Sequence, residues 1–190
     1  MKRRQFILGT AAAALAPLVA QASSEVLAAL AEPRTHAIMR HALAPGTGDP
    51  AGFTLGDCAT QRTLDDRGRE QARKTGERLR DAGVHFDRVL TSQWCRCEET
   101  ARLLGLGPVE PAPPLNSFFR NRATGPGQTT ELRRMLAEAP EAETLMLVTH
   151  QVNISALTGR ATSSGEIVVF RLENDDAVTV LGKALLAPAW

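Results

Sequence analysis

The stretch TLMLVTH, Thr144–His150, is apolar at nearly every position and then stops on a histidine. A run without polar alternation suits a strand buried on both faces of a mostly parallel sheet. Shorter runs rich in aliphatic or β-branched residues occur at His36–Met39, Arg88–Thr91, Ile167–Leu172 and Ala177–Leu181. Between them the spacing predicts helices. From Asp65 to Ala82, residues Ala72, Thr75, Leu79 and Ala82 recur at helical intervals, with Asp65 as N-cap and Gly83 as the stop. Arg96–Leu104 puts Cys97, Ala101 and Leu104 on one stripe, and Thr130–Ala139 does the same with Leu132, Met135, Leu136 and Ala139. Strands alternating with helices predict an α/β three-layer sandwich, a mostly parallel sheet with helices on both faces. The turn-forming ENDD (Glu173–Asp176) between the last two runs predicts a closing antiparallel hairpin.

In an open α/β sheet, ligands bind beyond the carboxyl ends of the strands. Arg40-His41 ends the first run, Ser92 and Arg96 follow the second, and His150 ends TLMLVTH. Parallel strands would therefore bring two His and two Arg to one edge. Like charges held together raise one another's energy, so the cluster calls for an anion. Phosphate fits, because guanidinium groups donate bidentate bonds to its oxygens. Each residue alone has an ordinary reading: a partly exposed strand end, a hydrogen-bonded core histidine, a solvated helix face. Only the joint arrangement is specific. The connection Ala42–Thr63 is long for a strand-to-helix loop, which points to a functional or mobile segment.

The N-terminus reads differently from the rest. Met1–Ala22 has a basic start (Lys2, Arg3, Arg4), an apolar stretch from Phe6 to Ala20 and a small-residue site at Ala20-Gln21-Ala22, the pattern of a cleaved export signal. The paired arginines in KRRQFIL suit the twin-arginine type. The apolar part is shorter than a membrane span and Pro17 interrupts it, so stable membrane insertion of the mature chain is not expected. A periplasmic or secreted domain, residues 23–190, is the expectation. Without the three leading basic residues the 22 Lys and Arg become 19 against 21 acidic residues. That balance, the low aromatic content and the lack of Tyr argue against a nucleic-acid partner.

MRHA (Met39–Ala42), LTSQWCRCEETA (Leu90–Ala101) and LMLVTHQVNISALTG (Leu145–Gly159) resemble, in order, the signature segments of the histidine phosphatase superfamily, with its phosphoglycerate-mutase-like fold. RTLDDRGREQA (Arg62–Ala72) is similar to the segment that opens the family's first helix. The resemblance implies a catalytic His41 nucleophile, with Arg40, Arg96 and His150 forming the phosphate pocket and no cofactor. The implied chemistry is covalent, through a phosphohistidine on His41. Two departures stand out. Ala42 replaces the usual glycine, and Asn116 and Ser117 stand where most relatives carry an acidic proton donor. Either another group serves, Asp57 or Glu131 from a neighbouring loop, or the substrate has an easier leaving group.

Substrate selection is expected in Ala42–Thr63 and in SFFRNRATGPGQTT (Ser117–Thr130). There Arg62, Arg120 and Arg122 read either as contacts to a second anionic group or as solvated loop charges. Phe118 and Phe119 read as core or loop anchors. His36 and His85 have no partner pattern. Cys95-Arg96-Cys97 looks like half a zinc site, but the other ligands at zinc spacing are missing, so no metal is expected. Cys97 shares the buried stripe; Cys95 lies off it and could reach Cys58, a disulfide suited to an exported protein. Sequence alone does not fix that connectivity. The function expected is hydrolysis of a small phosphorylated substrate. The alternatives are a narrow phosphohistidine or sugar-phosphate phosphatase, a mutase-type transferase, or a non-catalytic binder of phosphorylated ligands. The HALAPG…GDCATQR loop and WCRC are similar to a subgroup that includes lipopolysaccharide-core heptose phosphate phosphatases.

Overall fold

Among the described residues six strands form one sheet: β1 (Thr35–Arg40), β2 (Arg88–Thr91), β3 (Val109–Pro111), β4 (Leu145–Thr149), β5 (Ile167–Leu172) and β6 (Val178–Ala184), in spatial order β3-β2-β4-β1-β5-β6. The computed structural model describes residues 24–174 and 177–188, so the export segment read at Met1–Ala22 lies outside the described residues. From β3 to β1 all neighbours are parallel, and the β5–β6 hairpin adds antiparallel to β1, as the ENDD turn predicts. This is the mixed α/β sheet of the phosphoglycerate-mutase-like fold.

Helices α1 (Asp66–Asp81), α2 (Cys95–Leu104), α3 (Gly125–Ala137) and α4 (Gln151–Thr158) cover the sheet. Alternation along the strands sorts them onto two faces. Ala37, Met39, Met146 and Val148 pack with Leu79 of α1 and Ala101 and Leu104 of α2. The intervening Ile38, Leu145 and Leu147 pack with Leu132 and Leu136 of α3 and Ile154 and Leu157 of α4. β4 is buried at every position, so both of its faces contribute core. Each fully buried aliphatic side chain there stabilises by about 1.5–3 kcal/mol. Asp65 caps α1 by accepting from the Gly68 N–H at 2.8 Å. A methyl on Gly76 would run into the Leu104 carbonyl, so glycine lets α1 lie this close to the end of α2.

Three elements differ from the sequence expectation. α3 starts at Gly125 rather than Thr130, because Pro126 fits a first turn whose N–H groups lack intrahelical partners anyway. Short β3 and α4, which follows His150 directly, had no predicted counterpart. No described helix is long and apolar enough to cross a membrane.

Candidate active site

Register puts the carboxyl ends of β1, β2 and β4 at one level: Arg40 lies opposite Thr149, and Thr91 opposite Val148. Backbone bonds carry this order past the strands, with the His41 N–H donating to the Thr149 carbonyl and the Ser92 N–H to the Val148 carbonyl. Arg40, His41, Arg96 and His150 therefore line one cavity of about 730 Å³. The sequence-predicted residues come together, and Arg96, 3% exposed, points inward rather than to solvent.

His41 is fixed by its own backbone. Its Nδ1–H donates to the Ala42 carbonyl at 2.8 Å, which leaves Nε2 unprotonated with a lone pair. The Ala42 N–H donates to Thr100 Oγ1 at 3.1 Å, anchoring this corner to α2. Among described non-glycine residues only Arg34 has a left-handed backbone, so Ala42 replaces the usual glycine without strain.

Arg96 organises the cup. Its Nη1 and Nη2 donate to Asp49 Oδ1 and Oδ2 at 2.7 and 3.2 Å. Its Nε–H reaches His41 Nε2 at 3.3 Å, and Nη2 reaches His150 Nδ1 at 3.4 Å. The two short bonds hold the guanidinium. The two long ones face the imidazoles, where an entering phosphate oxygen would replace them. With Nδ1 accepting from Arg96, His150 carries its proton on Nε2 and donates to Ser92 Oγ at 2.9 Å. Ser92 in turn donates to Asn116 Oδ1 at 3.3 Å. The His41 and His150 rings lie 5.5 Å apart, and Trp94 stacks edge-on against His150 at 5.4 Å.

Burial, then the Arg96 charge, holds His41 well below the ordinary histidine range. Burial and the neighbouring His41 do the same for His150. Both rings are thus neutral at pH 7, the form that leaves a lone pair on His41. Burial and Arg96 also lower the Arg40 pKa. The Arg40 Nη1 donates to the Thr162 carbonyl at 3.0 Å, while its buried Nε has no hydrogen-bond partner among the described residues. α4 begins immediately after His150 without a side-chain cap, and its first residues Gln151 and Val152 line the cavity. Helix N-termini favour anions.

Asp49 is the residue sequence reasoning missed. It accepts from Arg96, from the Trp94 indole at 3.1 Å and from the Arg62 backbone N–H at 3.1 Å. Burial raises its pKa, but the Arg96 hydrogen bond and charge outweigh that and leave it below the usual carboxylate range. It is ionised and tied down, which makes it a poor proton donor. The two carboxylates named at the sequence level do not serve either. Asp57 caps the exposed turn Cys58–Thr60 through the Ala59 N–H, Glu131 is exposed on α3, and neither lines the cavity. Asn116 occupies the expected acid position as a structural amide, accepting from the Gln93 N–H at 2.9 Å. Arg62 is half-buried rather than solvated: its Nε donates to the Gly48 carbonyl at 2.8 Å and its Nη1 to the Ala44 carbonyl. Phe118 is buried and Phe119 is 44% exposed, and both line the cavity.

Cys58 and Cys95 are bonded, S–S 2.06 Å, which pins the long loop to the first residue of α2, beside Arg96. Cys97 is free and buried, and burial pushes its thiol up to about 12, so it is no thiolate nucleophile.

The fold and this cup define an α/β protein that gathers two histidines and two arginines at one edge of its sheet. The profile of the histidine phosphatase superfamily (branch 1) matches residues 37–125. From β1 to the start of α3 the chain is thus similar to that superfamily. Over 50 residues, 26% of this chain, it is 44% identical to the serine/threonine-protein phosphatase Pgam5 of Drosophila willistoni; the match spans 17% of that relative's length. The protein histidine phosphatase SixA complexed with tungstate has the same fold, with a TM-score of 0.56 and 19% identity over 78% of this chain and 95% of that one. The product of open reading frame Rv3214 from Mycobacterium tuberculosis superposes with a TM-score of 0.61 and 16% identity, over 78% and 96% of the two chains.

Proposed function

We propose that the protein is a phosphatase that hydrolyses phosphorylated small molecules through a phosphohistidine on His41. The observation that carries this reading is the His41 ring, locked by Nδ1–H to its neighbour's carbonyl with the Nε2 lone pair facing the Arg96 guanidinium. Nε2 attacks phosphorus, and the bond from phosphorus to the leaving group breaks. Arg40, Arg96 and the α4 N-terminus stabilise the charge on the phosphoryl oxygens. Water then attacks the phosphohistidine, the phosphorus–nitrogen bond breaks, inorganic phosphate leaves and neutral His41 is restored.

Among the described residues the only carboxylate lining the cavity is Asp49, which is held ionised by Arg96. The leaving group therefore departs without a strong internal acid. This favours substrates whose leaving group needs little protonation, such as aryl phosphates and phosphoramidates including phosphohistidine. The likeness of the fold to a protein histidine phosphatase supports the same direction. Heptose phosphates, suggested by the WCRC and HALAPG…GDCATQR resemblance, belong in the substrate screen beside them. The Cys58–Cys95 bond supports an oxidising, exported location, as does the leader pattern.

The test is a series of aryl phosphates of graded leaving-group pKa, assayed with wild type and His41→Ala. Wild type should show a steep fall in rate as the leaving group becomes more basic, and an alkaline denaturing quench should trap phosphate on the chain that later acid treatment releases. His41→Ala should lose both. Turnover retained by a folded His41→Ala variant would remove His41 as nucleophile, and phosphate binding without turnover of any substrate would make the protein a binder.

A further inference from the structure

We propose that the substrate of this site carries a second anionic group, recognised at the cavity rim by Arg120 and Arg122; the inference rests on the phosphatase reading above. The cavity of about 730 Å³ lies within the roughly 300–1,000 Å³ that takes a whole small organic molecule, not a bare phosphate. Among the described residues five guanidinium groups line it, from Arg40, Arg62, Arg96, Arg120 and Arg122, against the single carboxylate of Asp49. With both histidines neutral, the cavity holds a surplus of four positive charges. A phosphomonoester brings about two negative charges. Half the surplus is left, on a chain whose formal net charge is only +1.

That remainder sits on the rim. The Arg120 guanidinium lies over the Phe53 ring at 5.6 Å, and that of Arg122 over Phe119 at 5.2 Å. Stacking on an aromatic face orients a guanidinium and leaves its edge N–H groups free to donate. Arg120 spends one of these on the Pro50 carbonyl at 3.4 Å. Among the described residues no carboxylate pairs with either side chain, whereas Arg67, Arg88, Arg102 and Arg134 elsewhere on the surface each hold one within 3.2 Å. The rim arginines come from the Ser117–Arg122 stretch and are braced against the long loop through Phe53 and Pro50. Between rim and cup, Phe118, Phe119 and Val152 give an apolar wall for the body of the substrate. The fork geometry of two such groups suits a carboxylate or a second phosphoryl group.

The experiment compares phenyl phosphate, 3-(carboxymethyl)phenyl phosphate and its neutral carbamoylmethyl isostere, whose leaving groups are closely matched. Wild type should prefer the doubly anionic compound by about tenfold in kcat/KM at low salt, mostly through KM, as expected for two exposed charge pairs. The preference should shrink in added salt, because the rim is open to screening. The isostere should behave like phenyl phosphate. Arg120→Ala/Arg122→Ala should erase the preference, while Arg160→Ala, an exposed arginine outside the cavity, should keep it. Equal kcat/KM for the three compounds in wild type, or a preference that survives the double variant, overturns the proposal and leaves the phosphatase reading standing. Calorimetric binding of the same compounds to His41→Ala gives the ranking without turnover. Inactivity on all three compounds would therefore count against the phosphatase reading alone, and equal affinities would count against the rim site alone.

Discussion

Replacing Asp49 with Asn removes a charge from the middle of the cup while keeping its shape. The Asp49 and Arg96 side chains are 6% and 3% exposed, and their pair is the shortest contact Arg96 makes. Deleting one partner of a buried ion pair typically costs about 3–5 kcal/mol. The one amide oxygen of Asn keeps either the Trp94 indole bond, made to Oδ2, or the Arg62 N–H bond, made to Oδ1, so the loss is at least about 3 kcal/mol. At about 2–4 °C per kcal/mol for a domain of this size, the melting temperature should drop by about 6–12 °C. The same change raises the positive surplus of the cavity by one. Inorganic phosphate should therefore bind the variant more tightly, by roughly tenfold, and restore much of the lost melting temperature. Turnover should fall for every substrate alike, because Arg96 is less well aimed and product leaves more slowly. The assays are thermal melts with and without phosphate, phosphate titration by calorimetry, and kcat on aryl and alkyl phosphates. A variant with wild-type stability and phosphate affinity that loses only alkyl phosphate turnover would refute the reasoning and make Asp49 the proton donor.

Two further outcomes are expected. Reducing the Cys58–Cys95 bond, or replacing both residues with Ser, should cost about 3–4 kcal/mol, given the 37-residue separation, and should weaken substrate binding because Asp49 and Arg62 ride on the released loop; denaturant melts and KM with and without reductant check this, and an unchanged midpoint would speak against it. Acidification should destabilise the protein. Burial holds His36 at about 4 in the folded chain against 6.5 in the unfolded one, so between those values the unfolded chain binds the extra proton; the stability present above pH 6.5 is lost as pH falls, by about 2 kcal/mol at pH 5, with buried His41 and His150 adding in the same direction. Urea melts at pH 7 and 5 measure it, and equal stabilities would contradict the burial of these rings.

Much of this architecture is legible in the chain because hydrophobic runs and strand-terminal cations are local signals. TLMLVTH and RVLT announce buried strands, and the residues at their ends land together once the strands run parallel. What escaped notice was set by tertiary contacts. Helix α4 is only eight residues long, and QVNISALT carries no charge to mark a solvent face. β3 is short and ends in proline, a composition that reads as loop. Gly125-Pro126-Gly127 reads as a break, yet proline is well suited to a helix's first turn. Asp49 sits between glycine and proline in a long loop, and nothing local distinguishes it from Asp57. Only the folded loop, pinned through Cys58 to α2, delivers one carboxylate to Arg96 and leaves the other in solvent.

The cup's fit to a tetrahedral group has a practical corollary. On the proposed reading, reactant and released orthophosphate share the moiety that Arg40 and Arg96 hold, so the cup itself has little means of telling them apart. Catalysis in such a vessel is self-limiting: as orthophosphate accumulates it competes for the seat that the next molecule needs. Flux through the protein should consequently track how scarce orthophosphate is in the surrounding medium, and a phosphate-buffered preparation would hide its activity.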